Sequence, residues 1–101
     1  MATPTRLCIT EDLTIYHAME QKQQLMNALE AAEALELDLS HVAEIDTAGL
    51  QLLMLAKREA GRLDRRMDIV AHSPTVRETI DFCNLAGFFG DPVIITAREQ
   101  V

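Results

Sequence analysis

The sequence predicts an α/β fold built on a mostly parallel sheet, and three features predict it. Short apolar runs with a period of two alternate along the chain with longer runs whose apolar residues recur at helical spacing. The order that results is strand, strand, helix, strand, helix, strand, helix, strand, and strand–helix–strand repeats call for crossovers between parallel neighbours. The chain has 101 residues, enough for one domain with a modest core and too few for two, so residues 1–101 are read as a single domain.

Each element has its own warrant. Arg6-Leu7-Cys8-Ile9-Thr10 reads as a short strand. Glu11-Asp12 makes a turn, and Leu13-Thr14-Ile15-Tyr16 reads as a second strand, so the two form a hairpin that gives the sheet an antiparallel edge. From Ala18 to about residue 32 the period becomes helical. Ala18, Leu25, Leu29 and Ala32 share a stripe with Met26 beside it, while Gln23, Asn27 and Glu30 face away. Leu35-Glu36-Leu37-Asp38-Leu39 alternates as a strand with one buried face does.

A second helix is predicted from near Thr47 to near Arg62. Its core face holds Leu52, Leu53, Ala56, Ala60 and Leu63, with Leu50 and Met54 at the edge and Leu55 on the solvent side. Met67 to Ala71 is the next strand. Ser73-Pro74 opens a third helix, serine as cap and proline in the first position, with Val76, Ile80 and Cys83 inward and Gly87 as its stop. Phe88-Phe89 is expected to pack back on the sheet. Pro92-Val93-Ile94-Ile95-Thr96 reads as a last edge strand, where proline is tolerated. The sheet so predicted has four to five strands, with three or more helices.

Composition narrows the function. Hydrophobic residues at 49% and charged residues at 25% are ordinary for a soluble globular protein. A net charge of -7 argues against nucleic acid, which needs a basic stripe, and against an electrostatic grip on anionic lipid. It favours a protein partner with a basic docking surface. The start of the chain lacks the apolar core of a signal peptide and no run approaches a bilayer span, so a cytoplasmic location is expected and membrane insertion is not. Cys8 and Cys83 fit neither metal nor redox spacing and are expected to be reduced and packed. His17, His41 and His72 are scattered without a zinc-type spacing. There is no glycine-rich phosphate loop, so no cofactor is expected and nothing supports an enzyme.

The one segment that carries chemistry is Ala43-Glu44-Ile45-Asp46-Thr47-Ala48-Gly49-Leu50, between the Leu35–Leu39 strand and the second helix. It sets a hydroxyl at a helix N-terminus, one residue after a carboxylate. Unpaired N–H donors and the helix dipole favour negative charge there, so Thr47 is a candidate for phosphorylation. Read as structure alone, Thr47 is a helix N-cap worth about 1 kcal/mol. Asp46 is either a general base or, the favoured reading, a loop carboxylate that caps the helix or meets a basic partner. Gly49 permits close backbone approach. Leu50, Met54 and Leu55 are either the margin of the core or a small apolar contact patch flanked by Lys57 and Arg58.

The element order, with Leu37-Asp38-Leu39-Ser40 followed by Asp46-Thr47-Ala48-Gly49-Leu50, resembles the STAS domain of bacterial anti-sigma factor antagonists and sulfate-transporter tails. The resemblance runs from about residue 6 to 97, and the motif falls where the family carries Asp-Ser-Ser-Gly or Asp-Thr-Ser-Gly. It implies a STAS fold and a partner-switching signalling role in transcription regulation. In the antagonists, the hydroxyl after the aspartate is phosphorylated by a serine kinase that doubles as an anti-sigma factor. The matching residue is Thr47, and Ala48 replaces the second hydroxyl. The expected docking surface is Asp46, Thr47, Ala48, Gly49, Leu50, Met54, Lys57 and Arg58, on a protein that is monomeric when free. The Asp-Thr-Ala-Gly-Leu wording is also similar to the cytoplasmic STAS subunit of the bacterial lipid-asymmetry ABC transporter. That similarity implies the alternative of docking on the transporter's ATPase without phosphorylation.

Overall fold

The computed structural model describes residues 4–89. Its elements are β1 (Thr5–Cys8), α1 (Ala18–Ala31), β2 (Ala34–Leu39), α2 (Thr47–Arg62), β3 (Arg66–His72), α3 (Pro74–Phe82) and a short α4 (Ala86–Phe89). The strands lie in the order β1-β2-β3 and both pairings are parallel. The α/β class and its parallel sheet therefore stand as read from the sequence. The predicted edge strand at Pro92–Thr96 lies outside the described residues.

The alternation in β2 does what its period requires. Leu35, Leu37 and Leu39 are buried while Ala34, Glu36 and Asp38 are half-buried on the opposite side. The leucines meet Leu25 and Leu29 of α1 and Leu53, Ala56 and Ala60 of α2 in one core. The outer face carries Arg6, Glu36, Asp68 and Arg66, paired as Arg6–Glu36 and Arg66–Asp68. Such exposed pairs contribute little to stability.

Three details correct the sequence reading. The hairpin is absent among the described residues. Leu13 makes a single parallel bridge with Ile45, and Thr14 to His17 form a turn closed by the His17 N–H on the Thr14 carbonyl. A two-residue period shows that a segment is extended but not which segment it pairs with. Leu13 is fully buried, whereas Ile15 and Tyr16 are exposed instead of filling an edge strand. Next, α3 ends at Phe82, well before Gly87. Asn84 takes a left-handed φ of 59°, the Asn84 N–H meets the Asp81 carbonyl, and the Leu85 N–H reaches the Ile80 carbonyl. Asparagine tolerates this backbone region and closes the helix as glycine would. Asp64, at φ 57°, ends α2 in the same way. Finally, both cysteines are free and exposed rather than packed. Phe89 is buried in the core, and Phe88 stays at the surface.

Candidate functional site

Two loops are zipped together at the C-terminal end of the sheet. The Leu13 N–H donates to the Glu44 carbonyl (2.9 Å), and the Asp46 N–H donates to the Leu13 carbonyl (3.0 Å). Asp12 Oδ1 accepts the N–H groups of Ala43 and Glu44 at 3.2 and 3.1 Å. Gln21, buried near the start of α1, donates through Nε2 to the Asp12 carbonyl (2.9 Å). These bonds tie the β1–α1 loop to the β2–α2 loop and fix where α2 begins.

Gly49 lets the two loops meet. A methyl group at this position would stand 1.9 Å from the Leu13 carbonyl oxygen, well inside contact distance. Backbone approaches backbone here, so only glycine fits.

Asp46, not Thr47, is the N-cap of α2. Its Oδ1 accepts the Gly49 N–H (2.9 Å) and its Oδ2 accepts the Ile15 N–H (3.0 Å). The Gly49 and Ile15 N–H bonds hold its carboxyl below the usual carboxylate range. A carboxylate with both oxygens engaged and a lowered proton affinity suits a cap and not a general base. This corrects the N-cap reading of Thr47: the threonine occupies the first helical position. It is exposed, and its hydroxyl has no hydrogen bond among the described residues.

The remaining expected docking residues separate. Gly49 and Leu50 are buried. Met54 is half-buried against the core. Lys57 donates from Nζ to the Met67 carbonyl of β3, and the Arg58 guanidinium lies 5.7 Å over the Phe88 ring. Leu50 is thus turned into the core, Met54 lies at its margin, and Lys57 and Arg58 are engaged with β3 and Phe88.

Ala48, the residue after Thr47, lines an apolar groove of about 410 Å³ between α1 and α2, together with Ile15, Met19, Lys22, Gln51 and Leu55. Ile15 is 64% exposed, Met19 86% and Leu55 38%. Of these, the sequence places Ala48 in the expected docking loop and Leu55 on the solvent side of α2. Sequence does not point to Ile15 and Met19, because Ile15 reads as part of a strand; the available signal is that Met19 falls off the apolar stripe of α1.

The histidines divide as well. His17 Nε2 is 3.8 Å from a Glu11 carboxylate oxygen. His41 Nδ1 lies 3.6 Å from Cys8 Sγ, two residues that sequence spacing gave no reason to join.

A parallel three-stranded sheet with an Asp-Thr-Ala-Gly turn capping the helix after β2 is the arrangement of a STAS domain. The family model described as "Mlab, STAS domain" matches residues 2–95, and the chain belongs to this family. Solved structures that share the fold include two of SpoIIAA. The anti-sigma factor antagonist SpoIIAA in its unphosphorylated form is 16% identical, with a TM-score of 0.68 over 100% of this chain and 92% of that one. The Bacillus cell fate determinant SpoIIAA in its phosphorylated form is 16% identical, with a TM-score of 0.66 over 97% and 92%. A search of curated protein sequences gives no significant match. No helix among the described residues is long and apolar enough to cross a membrane.

Proposed function

We propose that this STAS domain is a protein-docking module rather than a catalyst. Its contact surface is the exposed start of α2 at Thr47 together with the apolar groove beside it. The observation that carries this is the exposed, unbonded Thr47 hydroxyl on a turn fixed by Asp46 and Gly49, next in the chain to Ala48, which lines the groove with exposed Ile15, Met19 and Leu55. Exposed apolar groups held on a rigid frame are what a partner surface requires.

Phosphorylation of Thr47 is the proposed control. A phosphate adds about -1.5 to -2 charges beside the ionised Asp46. The helix end offsets part of that charge within the domain, but an interface built on the apolar groove would not tolerate it. The fold is shared with an antagonist solved in both phosphorylated and unphosphorylated forms, which supports this reading. The partner class it implies is a serine kinase that doubles as an anti-sigma factor, in the cytoplasm.

A second reading is kept because the matching family model carries the Mlab description and the motif has the Asp-Thr-Ala-Gly-Leu wording. In it the same surface docks on a transporter ATPase with no phosphorylation.

Partner capture from native lysate with wild type, Thr47→Glu and Thr47→Ala, combined with intact mass, tests both. The switch predicts a kinase-type partner, phosphate on part of the wild type, and at least about tenfold weaker binding by Thr47→Glu, or about 1.4 kcal/mol. Thr47→Ala is expected to bind like wild type. Equal affinity of the two variants for the isolated partner overturns the switch. A membrane ATPase partner with no phosphate establishes the second reading.

A further inference from the structure

We infer that Cys8, Asp38 and His41 form a binding site for a zinc-class divalent cation at the C-terminal ends of β1 and β2. One ligand atom from each residue, a sulfur, a carboxylate oxygen and a ring nitrogen, lies within 4.8 Å of the other two. Three different elements supply them. Cys8 is the last residue of β1, Asp38 is its register partner in β2, and His41 lies in the loop that leads from β2 to α2.

The geometry fits zinc. A tetrahedral centre with Zn–S about 2.3 Å and Zn–N about 2.0–2.1 Å puts sulfur and nitrogen about 3.5–3.6 Å apart. Cys8 Sγ and His41 Nδ1 are 3.6 Å apart. Zinc ligands are commonly held in place by a second layer of hydrogen bonds, and Asp38 has one. Its Oδ1 accepts both the Ser40 N–H (2.9 Å) and the Ser40 hydroxyl (2.6 Å), while neither bond falls on Oδ2. The β2–β3 register also shifts between Leu37 and Asp38, an irregularity of the kind that re-aims a side chain beside a site.

Thiolate and imidazole donors select zinc over magnesium or calcium, which take oxygen. Three protein ligands leave one position for water, so the site is exchangeable rather than a closed structural zinc. Zinc displaces the Cys8 thiol proton to solvent, binds His41 through Nδ1, and leaves the ring proton on Nε2. The net charge of -7 favours a cation.

The test uses untagged, chelator-stripped full chain in a Cys83→Ser background, where Cys8 is the sole cysteine. Zinc titration by calorimetry is expected to give one ion per chain. Cobalt is expected to give a thiolate-to-metal charge-transfer band. Cys8→Ser, Asp38→Asn and His41→Gln should each weaken zinc at least about tenfold. His17→Gln should leave it unchanged. No zinc binding, no cobalt–thiolate band, or equal affinity in Cys8→Ser overturns the site. If a variant fails to fold by circular dichroism, the cobalt band in the parent chain still decides.

Discussion

An aspartate flanks the β2–α2 connection on each side, Asp38 near the end of β2 and Asp46 at the cap of α2, and each accepts hydrogen bonds from residues just ahead of it, yet the two turns differ in kind. At its start, Asp38 takes only bonds from Ser40, and its surroundings, Ser40 and His41, are open to solvent. At its end, Asp46 bonds forward to Gly49 and across to Ile15 of another loop, and the Leu13 backbone sits directly on Gly49. The first turn is a local motif that could adjust around a ligand. The second is locked from outside the segment. A surface that must present one hydroxyl reproducibly gains from the locked kind, because less ordering is left to the partner's binding free energy.

The strongest way to break this contrast is Gly49→Ala. The new methyl meets a backbone carbonyl, not the far end of a flexible side chain, so relief requires separating the two loops. The expected destabilisation is about 3 kcal/mol in urea unfolding. Gly61→Ala is the matched control: it lies in the last turn of α2 with nothing within 4 Å of the added methyl. It is expected to stabilise by about 0.4–1 kcal/mol. Similar losses in both would mean that the effect at Gly49 is helix propensity and not the close approach.

Asp46→Ala comes next. It removes the cap of α2 and the tie to Ile15 together, and a thermal midpoint about 4–8 °C lower is expected. The pH dependence follows from the sign of the shift. The folded-state pKa of Asp46 is lowered by the Gly49 and Ile15 N–H groups, so its contribution is fully present above the ordinary carboxylate range. It is lost as pH falls through that range toward the lower folded value. The gap between wild type and Asp46→Ala should therefore close on acidification. A gap independent of pH would show that the ionised carboxylate is not what holds the turn.

The same contrast explains how much was legible. The locked turn is written in consecutive residues, Asp46 to Gly49, and the burial of its helix follows from the spacing of Leu52, Leu53, Ala56 and Ala60, so sequence alone located it. What sequence did not carry is pairing across the chain. Leu13 reads as part of a hairpin because periodicity shows extension but not partner, and the same reading hides Ile15 and the groove. Asp38 and His41 are three residues apart, but Cys8 is distant in sequence and joins them only through the parallel register of β1 on β2. Sequence puts the end of α3 at Gly87, the stronger stop signal, while Asn84 closes the helix by a conformation asparagine adopts less often than glycine.

The smallest effect is expected at the open turn. Asp38→Ala removes only the bonds from Ser40, whose N–H and hydroxyl are exposed and can turn to water. In chelator-treated buffer its thermal midpoint should fall within about 2–4 °C of wild type, as for an ordinary surface substitution. The Ser40 bonds also lower the Asp38 pKa, so whatever it contributes is likewise lost in acid, and the two aspartates are separated by size of effect rather than by pH profile. Adding zinc sharpens the test. A ligand that binds only the folded chain raises the midpoint of wild type, and Asp38→Ala should lose most of that rise while Asp46→Ala keeps it. If Asp38→Ala without metal costs as much as Asp46→Ala, the two turns are equally structural and the contrast between an open and a locked aspartate fails.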